Sequence, residues 1–370
     1  MPYKISGAKN DTARIIIFDE SDWSIEHNEL IADAGAYEIL DLVSGTKSIV
    51  ARGPDGEVLA YGNTTTAWYV DPIPPPGDRG VWGGGRTTGA VNTIQYVTIH
   101  TTSNATYFGN LTQSREQLTG CSNSGFNRGV FAGGYTSSAQ DTIDYITINS
   151  TGNASSFGDL NVARREGAGF SNSTNNRGIA AAGRTADYVS IDYFTINSTG
   201  NASDFGDTLV DMYGTSGCSN GINERGTIAG GWSKINDINY ITINSAGNAT
   251  NFGDLFQGRR YLSGTSNLTN ERGVQGGGYT TFNVTTIDYH TINSTGNASS
   301  FGNLSSIRYG TGATSDGVDE RGIWGGGAYY TSSASRRDVI DYVTINTTGN
   351  ATDFGDMTAT IMQLPGTSNA

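Results

Sequence analysis

Arg128-Gly129-Val130-Phe131-Ala132-Gly133-Gly134 is one of six copies of a segment headed by Arg79, Arg128, Arg177, Arg225, Arg272 and Arg321, at steps of 49, 49, 48, 47 and 49 residues. A period of that size marks an array of supersecondary units. Each period continues with a variable stretch and then an apolar-polar alternation such as Ile143-Asp144-Tyr145-Ile146-Thr147-Ile148. The turn-forming Asn149-Ser150-Thr151-Gly152-Asn153-Ala154 follows, then Phe157-Gly158-Asp159-Leu160, then a Gly/Ser-rich run such as Gly120-Cys121-Ser122-Asn123. No segment has helical spacing, and Gly supplies 52 of 370 residues, so the chain reads as short strands bounded by tight turns.

Four strand candidates per period predict a propeller blade. We name the Gly/Ser-rich segment strand A, the Arg-headed segment B, the Ile-Asp-Tyr segment C and the Phe-Gly-Asp segment D. Only small side chains fit near a crowded axis, so the order from axis to rim is A, B, C, D. The first unit starts at strand B with Arg79, whereas the chain ends in Leu364-Pro365-Gly366-Thr367-Ser368-Asn369, which matches strand A. The carboxyl end is therefore expected to supply the inner strand of the first blade and to close a six-bladed propeller over residues 79–370 without a free edge. Residues 1–70 do not repeat. Strands at residues 13–18, 35–39 and 48–52, with the turn Gly53-Pro54-Asp55-Gly56-Glu57 leading into residues 58–61, predict a small antiparallel β-sandwich and an all-β chain. Residues 71–78, with Pro72, Pro74, Pro75 and Pro76, read as a stiff Pro-rich linker.

The Gly-Gly doublet followed by a Tyr-bearing strand and an aromatic-bearing outer strand resembles the kelch-type propeller. The departures are Phe157 where kelch has Trp, the 12-residue separation of Tyr145 and Phe157, and Ala182-Gly183 for the doublet in the third unit. Residues 143–160 are also similar to repeat units of virion structural proteins of tailed bacteriophages from marine and cyanobacterial hosts. The amino-terminal strands resemble carboxypeptidase-regulatory-like domains. The resemblance implies a non-enzymatic virion component, present in multiple copies, that docks on other virion proteins by protein-protein contact. The alternative is a fibre or tip module that recognises a host-surface glycan or protein, and a carbohydrate-active propeller enzyme is a further reading.

A net charge of −13 with 22 Lys and Arg argues against a nucleic-acid partner. No apolar run approaches the roughly 20 residues that span a bilayer, so no membrane insertion is expected, and Met1 to Ile5 lacks the core of a signal peptide. The repeated Asn-x-Ser/Thr triplets, as at Asn153 and Asn201, read as turns rather than glycan acceptors. Cys121 and Cys218 hold equivalent positions two units apart and are expected to be free thiols. His27, His100 and His290 fall at unrelated positions, so neither a copper centre nor another catalytic set is expected. The carboxylates of Asp204-Phe205-Gly206-Asp207 and Asp353-Phe354-Gly355-Asp356 lack a calcium-loop spacing, and neither metal nor cofactor is assigned.

The strand B arginines (Arg79, Arg128, Arg177, Arg225, Arg272, Arg321) are assigned a structural role, pairing with Asp144, Asp192, Asp288 and Asp341 of strand C or with Asp159, Asp207, Asp254 and Asp356 of strand D. The recurring Tyr and Phe of strands C and D are assigned to the core between blades. Variation between units points elsewhere. The C-to-D turns are nearly uniform, whereas the B-to-C loops (135–142, 184–190, 232–237, 279–286 and 328–339) differ in length and content. On the same expected face the D-to-A connections carry further arginines. Tyr135, Trp232, Tyr279, Phe282, Tyr329 and Tyr330 with Arg164, Arg259 and Arg308 are the candidate binding residues, because aromatics and arginines on a ring of loops suit protein or glycan recognition.

Overall fold

The computed structural model describes residues 79–369 apart from 125–126, 185–187, 318–319 and 331–333, and within the first 78 residues six strands only. Two compact units, Met1–Pro75 and Pro76–Ala370, divide the chain. In the first, Ile25–Ile31, Ala13–Asp19, Lys47–Arg52 and Val58–Asn63 form one antiparallel sheet in that order. Ser6–Lys9 pairs with Gly35–Glu38 in a second. The expected 53–57 turn and the 71–78 linker lie outside the described residues.

The second unit is a six-bladed β-propeller. Blade 2 shows the plan: strands A (Thr119–Ser122), B (Arg128–Ala132), C (Gln140–Thr147) and D (Ser155–Arg164) pair antiparallel in chain order. Blades 3, 4 and 5 repeat it from Ala168–Ser171, Ser216–Ser219 and Ser263–Ser266 outward. Blade 6 departs from it. Its longest B-to-C connection, read from sequence as a loop, contains a short strand, Ala328–Tyr330, that folds back on Ala334–Thr344. Blade 1 takes its inner strand, Gly366–Ser368, from the carboxyl end, where Thr367 lies opposite Val81.

The core lies between blades, because each sheet presents one face to each neighbour. Val81, Ile94 and Phe108 of blade 1, for example, pack with Phe131, Ile146 and Ile148 of blade 2. Within each blade the strand C Tyr meets the strand D Phe edge to face at 5.8–6.2 Å.

The strand B arginines are structural but have different partners from those the spacing suggested. Each lies over the Tyr of its own blade, Cζ to ring centroid 4.3–4.6 Å, and donates from Nη1 to a main-chain carbonyl at the C-to-D turn of the next blade. The series ends with Arg321 of blade 6 donating to the Ile99 carbonyl of blade 1. The strand C carboxylates belong to other arginines. Arg115, Arg259 and Arg308, in the connections between blades, and Arg164, at the end of strand D, reach Asp144, Asp288, Asp341 and Asp192 respectively at 2.5–3.1 Å, all with fully buried side chains. This corrects the placement of Arg164, Arg259 and Arg308 among exposed binding residues. Each also donates to the main chain of the following blade, Arg115, Arg164 and Arg308 to two carbonyls (Ala182 and Ser190 for Arg164) and Arg259 to one, so the guanidinium is consumed inside the blade interface.

Candidate functional site

After the Gly-Gly doublet of strand B the backbone leaves the sheet on the face of the B-to-C loops. Both glycines are left-handed in blade 2 (Gly133 φ 64°, Gly134 φ 107°) and Ala182 adopts the same conformation (φ 53°) in blade 3. The doublet thereby sets the next residue beside the D-to-A connection of its own blade. Glu116 bridges Tyr135, Arg165 bridges Arg184, Arg260 bridges Tyr279 and Tyr309 bridges Ala328. In blade 4, Trp232 donates its main-chain N–H to Tyr213 at 2.8 Å.

Side chains at these positions interlock around the rim. Arg86 pairs with Glu116 at 2.8 Å. The Arg165 guanidinium lies 4.0 Å from the Tyr135 ring centre, and Arg260 lies 3.8 Å from Trp232 and 5.1 Å from Tyr279. Trp232 stacks on Tyr213 at 5.1 Å and 14°, and Tyr279 meets Tyr309 at 6.3 Å. The structure thus brings Tyr135, Trp232 and Tyr279 together on one rim. Phe282 stands out at 76% exposure, and Tyr329, beneath Arg337 at 5.6 Å, belongs to the added hairpin of blade 6. The Tyr330 side chain lies outside the described residues.

Inside the rim runs a second ring that the sequence reading did not single out. Gln117, Glu166, Gly214, Tyr261, Gly310 and Gln363 occupy one equivalent position, two residues before strand A aligns on the axis. All six are left-handed, with φ between 57° and 70°. Each donates its main-chain N–H to the carbonyl of its counterpart in the preceding blade at 2.6–2.9 Å, closing a circle of six hydrogen bonds from Gln117 to Gln363 and back. The circle surrounds the mouth of an axial cavity of about 110 Å³, which Gln117, Glu166, Tyr261 and Gln363 line. The signal available in sequence was the unlike residue types, Gln, Glu, Gly and Tyr, at one unit position.

Glu166 is 9% exposed and its Oε2 has no hydrogen-bond partner, nor does the Gln117 Oε1. Burial raises the Glu166 carboxyl above its ordinary value, opposed by Arg165, Arg184 and Arg260. Burial, and next the Glu166 charge, push the Tyr261 hydroxyl up to about 12. At the opposite end the axial channel is lined by Ser and Thr, including Ser122, Ser171, Ser219, Thr265 and Thr314. Cys121 and Cys218 are buried free thiols, and burial pushes both up to about 12. Among the described residues no cluster of three or more His, Cys, Asp or Glu is placed to hold a metal ion.

No family model matches the chain, and no curated protein is significantly similar to it.

Proposed function

We propose that this protein is a non-enzymatic, kelch-like component of a phage virion, present in multiple copies, that docks on another virion protein through the propeller face bearing the B-to-C and D-to-A connections. One observation carries the choice of face. Among the described residues eight large apolar side chains are markedly exposed, and six of them (Leu209, Val210, Trp232, Phe256, Phe282 and Ile307) stand on this face along blades 3 to 6. Exposed apolar surface gathered on one side is what a protein partner covers. The other connections are tied down: the Asn of each C-to-D turn accepts a hydrogen bond from strand D of the preceding blade at 3.0–3.1 Å. The virion assignment rests on the similarity of the 143–160 unit to phage repeat proteins.

The test is alanine at Phe256, Phe282 and Ile307 together, with particle incorporation and host-cell adsorption measured on the same variant. Truncating exposed anchors of this kind is expected to remove about 2 kcal/mol or more each from a docked interface and little from folding. Lost incorporation supports the docking role. Normal incorporation with lost adsorption replaces it by receptor recognition, and normal values of both overturn the choice of face.

A further inference from the structure

We propose that the mouth of the axial cavity is a saccharide site selective for an acidic glycan, with the sugar ring stacked on Tyr261, its hydroxyls donating to Glu166 and Gln117, and its carboxylate met by Arg165, Arg184 and Arg260. The proposal is independent of the docking role, because it concerns the axis rather than the exposed apolar arc.

Three observations converge. First, the site presents hydrogen-bonding capacity that the protein does not use: Glu166 Oε2, Gln117 Oε1, Thr215 Oγ1 and Ser216 Oγ are buried without partners, and all four residues line the cavity. Buried polar atoms normally find partners, and a polyol supplies both donors and acceptors. Second, an aromatic ring stands beside those acceptors: Tyr261 is in the cavity wall, with the Arg260 guanidinium 5.2 Å and the Tyr309 ring 5.8 Å from its centre, so a sugar would stack on the part of the ring that lines the cavity. An apolar ring face beside convergent polar groups is the arrangement a sugar requires. Third, the charge at the mouth is opposite to that of the chain. Arg86 pairs with Glu116, and Arg165, Arg184 and Arg260, held over Tyr135, Tyr213 and Trp232 on the surrounding rim, act electrostatically on Glu166, in a protein whose net charge is −13. This local excess of guanidinium favours an anion.

The backbone adds an argument. The circle of hydrogen bonds demands a left-handed residue at each of its six positions, and blades 4 and 6 use Gly214 and Gly310. Gln117, Glu166, Tyr261 and Gln363 hold side chains where glycine is the unstrained choice, and strained residues of this kind gather at ligand sites.

The test uses the full chain and an array of uronate-bearing, sialate-bearing and neutral glycans, with each hit measured by saturation-transfer NMR and calorimetry at low and high salt. Binding to acidic glycans that weakens with salt is expected. Tyr261→Gly is expected to weaken it about tenfold or more, with a melting midpoint no lower than that of the parent chain, because glycine relieves the left-handed backbone. Glu166→Gly serves as the second variant on the same terms. Absence of any acidic hit, equal binding of neutral glycans, or binding untouched by both variants overturns the proposal, as does a fall in midpoint that shows the Tyr261 and Glu166 side chains to be structural. Particle incorporation of Tyr261→Gly separates the two readings: normal incorporation with lost glycan binding leaves docking intact, and lost incorporation with glycan binding retained overturns the sugar site as the role of Tyr261.

Discussion

Blade 4 carries Met212 and Asn239 where four other blades carry a buried arginine and a strand C aspartate, and blade 1 carries Ile361 and Gln95 at the same two places. The carboxylate disappears wherever the guanidinium does, because either charge alone in a closed interface costs several kcal/mol. The hydrogen-bonding duty survives. Asn239 and Gln95 still accept from the main-chain N–H of Leu209 and Thr358, as Asp144 does from Thr112. Arg164→Met is therefore expected to cost about 3–5 kcal/mol. Arg164→Met with Asp192→Asn should recover most of that in a denaturant double-mutant cycle, and additive losses would refute the pairing. His290 is a second departure, standing where the other blades have Val97, Ile146, Phe194, Ile241 and Val343. It is buried beside Thr227 at 3.1 Å, and burial lowers it from 6.5 to about 4. Its depressed value means that protonation opposes folding. Stability should be complete above pH 6.5 and fall as pH drops toward 4, by on the order of 3 kcal/mol. Melting curves of the parent chain and of His290→Val with Thr227→Val across that range check this, the variant giving the flatter profile.

At the scale of elements, strand D and the C-to-D turn of the next blade meet so closely that one backbone must lack a side chain. A Cβ on Gly302 would stand on the Gly349 carbonyl oxygen, whereas a Cβ on Gly349 would meet open space. Gly302→Ala should therefore lower stability by about 1–3 kcal/mol, and Gly349→Ala should leave thermal melting nearly unchanged; equal effects would remove this account of the Phe-Gly-Asp motif. Period, strand count and strand order were legible because turn chemistry and alternation act within one unit. Partners across blades were not. Spacing places Asp144 and Arg128 in one unit but says nothing of the blade that packs against its face, and so the strand B arginines were given the carboxylates that Arg115, Arg164, Arg259 and Arg308 hold. Arginines in Gly/Ser-rich connections looked solvated. Reading unit against unit, with Met212 set beside Asn239 and Ile361 beside Gln95, would have exposed the pairing.

For the whole molecule, the inter-blade contacts make a circuit: the inner hydrogen bonds and the arginine-carbonyl contacts each pass from blade to blade and return to blade 1, and buried ion pairs reinforce four of the six interfaces. Removing residues 364–370 should break the circuit, leaving strand Arg79–Gly83 as an unpaired edge. A lower melting midpoint or concentration-dependent association is expected, and an unchanged midpoint in a monomer would contradict it. The same joint has a cost in time. Arg79 donates its main-chain N–H to the Asn369 side chain across 290 residues. At about 5–20 residues per second, strand B of the first blade leaves the ribosome roughly 15–60 s before its partner exists. Throughout that interval strand Arg79–Gly83 of each nascent copy is without the inner strand it pairs with in the folded chain, and copies made side by side on one message are expected to compete for one another's inner strands. Yield of the correctly closed monomer should therefore depend on how fast, and how crowded, translation is.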